Sequence, residues 1–271
     1  MRTVLGIDAA WTPHNPSGVA LVEETASGWR LVAVSPSYGR FVALAGGPQF
    51  EPLVAKEARP DAAALLEACR RLTGRGPDLI AVDMPLSRLP ITGRRASDTQ
   101  VSQAYGARKC ATHSPSALRP GKISDRLRED LERCGYSLWT VPAPPSKMLG
   151  LIEVYPHPAL VELTGAPERL KYKAGKIGNY WRDLEAAERR ERLFGIWDRI
   201  VSALEKEIHG VQGKLPNVAQ GDRGAALKAF EDALDAVVCA WVGVCVLEGR
   251  AKAYGDADSA IWVPSREPPP L

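Results

Sequence analysis

Five acidic residues stand where a buried core would ordinarily exclude them. Asp8 closes the apolar run "VLGID", and Asp83 follows "LIAV" just ahead of the strand-stopping Pro85. Glu153 sits inside "LIEVYP", and "FEDALDAVVCAW" carries Asp232 and Asp235. A buried, unpartnered carboxylate costs on the order of several kcal/mol, so each acid needs a cationic partner, a metal or a strand end open to water. Several carboxylates meeting in one pocket repel, and they either take up protons or recruit a cation. Mg²⁺ and Mn²⁺ favour oxygen ligands, and two such ions about 4 Å apart can clamp the attacking and leaving oxygens of a phosphodiester. Asp8, Asp83, Glu153 and Asp235 are the candidate ligands. That chemistry needs no His or Cys cluster, which suits a chain with four scattered histidines.

The surrounding sequence predicts the elements that would bring these acids together. Thr3 to Asp8, Gly18 to Glu23 and Trp29 to Ser35 are β-type stretches separated by turn residues, close enough for an antiparallel meander. Pro60 to Leu72 has helical spacing of Ala62, Leu65, Leu66, Cys69 and Leu72. Asp78 to Pro85 and Leu151 to Pro156 follow as apolar strands. A short helix over Ser124 to Arg133, a long polar helix over Trp181 to Ile208 kinked near Gly195, and a final helix over Ala225 to Leu247 complete the helical set. Gly210 to Gly224 is expected as a loop, and "SAIWVP" as an edge strand. A meander followed by parallel crossovers predicts one α/β domain over 1–271, with a mixed five-stranded sheet flanked by helices. A basic insertion over about 88–128 and a helical insertion over about 166–222 interrupt it. The first, fourth and fifth strands would lie side by side and parallel, and ligands of open α/β sheets bind beyond the carboxyl ends of such strands. Asp232 and Asp235, three apart, share one face of the last helix.

At these residues the chain resembles the domain-of-unknown-function family numbered 429. The shared stretches are "GIDAAW" with "PSGVAL", "AVDMPL", "IEVYPHPA" and "DALDAVVCAW", spanning Val4 to about Trp262. The resemblance implies a ribonuclease H-like fold. More distantly, an aspartate on the first strand, an acid on the fourth and D-x-x-D on the last helix are similar to the Holliday-junction resolvases. This implies a metal-dependent nuclease with Asp8, Asp83 and Asp232 or Asp235 as catalytic residues, working with Mg²⁺ or Mn²⁺.

The basic insertion supports a nucleic-acid partner. Between residues 88 and 128 nine Lys and Arg face only Asp98 and Asp125. Arg94, Arg95, Arg108 and Lys109, with Lys171 and Lys173 of the later "RLKYKAGK", are the candidate phosphate contacts. Each acid also has a plainer reading. Asp8 can be a strand-end turn acid, and Asp83 can accept backbone N–H groups ahead of Pro85. Asp232 can serve a helix N-terminus, while Asp235 and Glu153 can pair with a cation. His157 between two prolines reads as a turn residue, His14 and His113 fall in loops, and Trp11 reads as a core lid.

Composition bounds the remaining choices. Net charge of +3 permits an anionic partner without demanding one. Five cysteines, an odd number with no C-x-x-C pair, point to reduced thiols in a cytoplasm rather than a disulfide scaffold or zinc finger. The start "MRTVLGID" lacks the long apolar stretch of a secretory leader, and the run Ala236 to Leu247 is too short to span a bilayer. A phosphotransferase or nucleotidase of the actin-like ATPase type is the enzymatic alternative, although "GIDAAWT" lacks the Gly-rich D-x-G-x-T turn. A non-catalytic nucleic-acid-binding module is the other.

Overall fold

The computed structural model describes residues 1–12, 15–46, 61–143, 148–219 and 221–265. Its strands are β1 (Thr3–Asp8), β2 (Gly18–Thr25), β3 (Gly28–Ser35), β4 (Leu79–Val82), β5 (Ser137–Leu138), β6 (Gly150–Val154), β7 (Ile208–His209), β8 (Ala251–Gly255) and β9 (Ala260–Pro264). Its helices are α1 (Tyr38–Gly46), α2 (Ala62–Thr73), α3 (Ala96–Tyr105), α4 (Lys122–Arg133), α5 (Pro156–Thr164), α6 (Ile177–Tyr180), α7 (Ala186–Glu207), α8 (Val211–Lys214) and α9 (Ala225–Leu247).

The sheet runs β7-β3-β2-β1-β4-β6-β9-β8, with β5 also on β6. It is a mixed α/β sheet of nine strands among the described residues, not the five expected. The meander β1–β2–β3 is antiparallel, and β1, β4 and β6 lie side by side and parallel as the pattern required. The "SAIWVP" strand is interior rather than an edge, because β8, unrecognised in the sequence, pairs with its outer side.

The period of two divides each central strand between two cores. Val4, Leu79, Ala81 and Ile152 face α9, α5 and α7, whereas Leu5, Ile7, Ile80, Val82 and Leu151 face α1, α2 and α4. α9 lies hard against this sheet, and every residue from Phe230 to Cys245 is buried. The close approach requires glycine at two places. A Cβ on Gly6 would collide with the Ala236 carbonyl of α9, and one on Gly18 with that of Asp232.

Several other expectations change. α7 starts at Ala186 and runs through Gly195 without interruption, since a single glycine costs a long helix only about 1 kcal/mol. The basic segment holds, besides the start of the expected helix α4, a further helix, α3, that the sequence reading did not include. His157 is a buried residue in the first turn of α5, where Pro156 supplies the favoured N-terminal proline, and is not in a turn. The Gly210 to Gly224 loop includes α8. Pro60 and His14 lie outside the described residues.

Candidate functional site

Asp8 ends β1, and Asp83 follows β4 one strand over, where its N–H donates to the Ile7 carbonyl at 2.8 Å. By strand alternation both side chains continue the row of Val4 and Ala81, on the face covered by α9. There they meet Asp232, and the three line a cavity of about 640 Å³. Lys173 and Lys228 also line it, and Trp11, His113, Ser116 and Arg119 are among the remaining lining residues. Trp11 is partly buried against the core on the α1–α2 side, as a core lid would be, and also lines the cavity, with the Arg119 guanidinium 5.9 Å from the centre of its ring.

The electrostatics are those of crowded acids held by lysines. Burial, reinforced by Asp232 and Glu231 against the opposing Lys173 and Lys228, pushes the Asp8 carboxyl up to about 7. Burial and the neighbouring Asp8 carry Asp83 well above the usual carboxylate range. Asp232 is raised as well, chiefly by burial. One of its oxygens accepts from Lys228 Nζ, four residues earlier on α9. The other, Oδ2, is buried with no partner. Asp232 lies well inside α9, so the helix N-terminus does not account for it.

Asp235 is fully buried and does not line the cavity. It accepts from Tyr172 Oη at 2.8 Å and from Lys173 Nζ at 2.5 Å. Glu231, also buried, accepts from the Ala174 N–H at 2.6 Å and lies 3.4 Å from Lys173 Nζ. Asp235 therefore acts on the cavity through Lys173: it fixes where that ammonium sits. Burial works against the Lys173 charge, but Asp235, Tyr172, Asp8 and Glu231 outweigh it and hold the amine firmly protonated.

Glu153 does not join the group. It pairs in register with Val82, and so points to the opposite face of the sheet from Asp8 and Asp83. There Arg95 grips it with two bonds, 2.5 and 2.7 Å, and the Leu86 N–H donates at 2.7 Å. Asp98 completes the triad on the same guanidinium at 2.9 Å. Burial lifts Glu153 to about 7 despite Arg95. The expected metal ligand is thus an ion-pair partner, and the expected phosphate contact Arg95 is its mate.

The other basic candidates divide. Arg94 bonds the Asp98 carbonyl and the Ser102 and Ser114 hydroxyls. Arg108 bonds Glu162 at 2.6 Å and the Ala166 carbonyl, and Lys109 pairs with Glu168. Lys171 is exposed, and Lys173 belongs to the acidic cavity. Sequence reasoning missed Lys228 and Arg119 as site residues and gave His113 little weight. Only Lys228 carried a local signal, its spacing of four from Asp232. His157 is outside the cavity, packed edge-on to Tyr155 and Tyr172. Burial, helped by Arg169 and Lys173, keeps it neutral.

A model of the family described as Protein of unknown function (DUF429) matches residues 6–259. The chain belongs to this family. The DUF429 match begins just before Asp8 and takes in Asp83, Lys173, Lys228, Asp232 and Asp235, so every polar group of the cavity falls inside it. No curated protein matches the chain. Among the described residues of this DUF429 protein no three His, Cys, Asp or Glu side chains group closely enough to hold a metal on their own, and no helix is long and apolar enough to cross a membrane.

Proposed function

We propose that the cavity is the active site of a divalent-cation-dependent nuclease with a ribonuclease H-like arrangement of strands. One observation carries this reading: Asp8 and Asp83, side by side at the carboxyl ends of parallel strands, open into one cavity with the unpartnered oxygen of Asp232. The donor set fits Mg²⁺ or Mn²⁺. Mg²⁺ is commonly held by one or two carboxylates, with water and substrate phosphates supplying the other positions, so a cluster of three acids is not required.

The sequence pattern suggested a pair of ions. Asp232 and Asp235 are each engaged by a lysine, which supports one ion on Asp8 and Asp83 with Lys173 as the second positive charge. When bound, the ion would lower the pKa of a coordinated water and polarise the phosphoryl oxygen. The chain's own residues do the rest. Asp8 and Asp83 hold charge at the strand ends, Asp235 and Glu231 fix the Lys173 ammonium beside them, and Arg119 and Ser116 offer donors from the rest of the lining.

The test is cleavage of single-stranded and structured RNA and DNA with Mg²⁺ or Mn²⁺. Cleavage is expected to vanish in chelator and in Asp8→Asn and Asp83→Asn. No cleavage across the panel, together with no Mn²⁺ binding by paramagnetic resonance, would overturn the proposal. ATP binding by calorimetry in place of cleavage would favour the phosphotransferase reading.

A further inference from the structure

A second cavity, of about 420 Å³, lies between the segment following α5 and the outer face of α7. Arg169, Lys171, Arg192 and Arg199 line it, with the half-buried Trp181 on one side. The acid in its wall, Glu168, is turned to Lys109 at 2.5 Å. Arg192 reaches Glu188 only at 3.3 Å, a partly exposed pair of small worth, and Arg199 donates to the Thr164 carbonyl rather than to a carboxylate. Four cations therefore converge with little to neutralise them. Elsewhere in the fold Arg95, Arg108 and Lys173 each have a carboxylate within about 2.7 Å. Self-repulsion of this kind works against folding, and a polyanion laid across it would remove the penalty.

The chain that carries the cluster also points towards the acidic cavity. In "RLKYK" Leu170 and Tyr172 are buried and Lys171 is exposed, while Lys173 turns inward, its ammonium meeting the same Asp235 carboxylate as the Tyr172 hydroxyl. Lys173 has extended backbone angles, φ −80° and ψ 116°. Arg169 and Lys171 line the basic cavity, and Lys173 lines the acidic one. Trp181 supplies a π-face on which a base can stack, which a paired base in a duplex cannot use.

We infer that Arg169, Lys171, Arg192, Arg199 and Trp181 form a binding track for single-stranded nucleic acid that leads along "RLKYK" to the Asp8–Asp83 cavity. The inference takes its ligand class from the nuclease reading, but its test does not depend on cleavage.

Binding of fluorescent single-stranded RNA and DNA oligonucleotides is measured by anisotropy in chelator, across a series of salt concentrations. The full chain is compared with Arg192→Glu/Arg199→Glu, with Trp181→Leu, and with Arg70→Glu/Arg71→Glu on α2, across the sheet, as the charge-matched control. All are checked for a native melting transition. The double reversal is expected to weaken binding at least tenfold and to flatten the salt dependence by about one to two ions. Trp181→Leu should weaken it severalfold, and the control should bind as the parent does. Blunt duplex of the same length should bind more weakly than the single strand. Equal loss in the control, no loss in the track variants, no binding by the parent, or preference for duplex would each overturn the track. If Asp8→Asn abolishes cleavage while the track variants bind as the parent, the track falls and the nuclease stands. If nothing is cleaved yet the track variants lose binding, the nuclease falls and the track stands.

Discussion

Replacing Lys173 by Met removes the ammonium from among four carboxylates, and the structure sets both the sign and the size of the result. Asp235 would lose its 2.5 Å partner while remaining fully buried, and Glu231 would lose one at 3.4 Å. Breaking such a buried pair from one side costs about 3–5 kcal/mol. Asp8→Asn should act in the opposite direction. Its carboxyl is raised from 3.8 to about 7, so in the folded state it holds a proton that the unfolded chain has released. Below pH 4 or so both states are protonated and the substitution is neutral; above about 7 the folded state carries the full penalty. The ceiling is about 4 kcal/mol, and because Asp83 and Asp232 share the titration a gain of about 1–2 kcal/mol is expected.

The assay is urea and thermal denaturation in chelator at pH 5 and pH 8, where each kcal/mol moves Tm by about 2–4 °C. Lys173→Met should be destabilised more at pH 8 than at pH 5, because the acids it leaves behind can protonate only at the lower pH. The double variant should recover part of that loss, by more than Asp8→Asn alone gains. A destabilised Asp8→Asn at pH 8, or strict additivity in the double variant, would refute the convergence of these groups.

Other outcomes can be checked alongside it. Arg95→Met leaves Glu153 and Asp98 buried without their cation and should cost about 3–5 kcal/mol in urea, yet leave Mn²⁺ binding intact, since Glu153 faces the other side of the sheet. Gly18→Ala drives a methyl into the Asp232 carbonyl and should cost about 3 kcal/mol or more while weakening Mn²⁺ binding measured by paramagnetic resonance. Mn²⁺ at a hundred times its Kd should stabilise the parent chain by about 2.7 kcal/mol in thermal shift, and not at all in Asp83→Asn.

The elements that carry the acids were legible because their patterns are strong. β1 and β4 are near-continuous apolar runs, and the final helix runs from Ala225 to Leu247 as its composition indicated. The elements that were hidden depend on information a single sequence does not display. α3 begins with Arg95 and Asp98 closing on each other, a cap outside the usual Ser, Thr, Asp and Asn set. α5 starts on a Pro-His-Pro run that equally well describes a turn. Glu153 looked like Asp8 and Asp83 because all three sit late in a strand. Register alone separates them: Glu153 lies beside Val82, one step out of phase with the aspartates. Lys228 and Asp232 were readable as an i,i+4 pair, whereas Arg119 and His113 reach the cavity from a loop whose path no periodicity foretells.

The helix that seals the larger core also bears Glu231, Asp232 and Asp235, with Gly6 and Gly18 letting it seat directly on the strands. Chemistry and architecture thus share one rod. The acidic wall has no freedom to drift as the protein warms, and its ability to hold a ligand should disappear in the same cooperative step that unfolds the sheet. Adaptation to a new ligand has to come from the rest of the lining, where His113, Ser116 and Arg119 stand on a loop outside the packed cores.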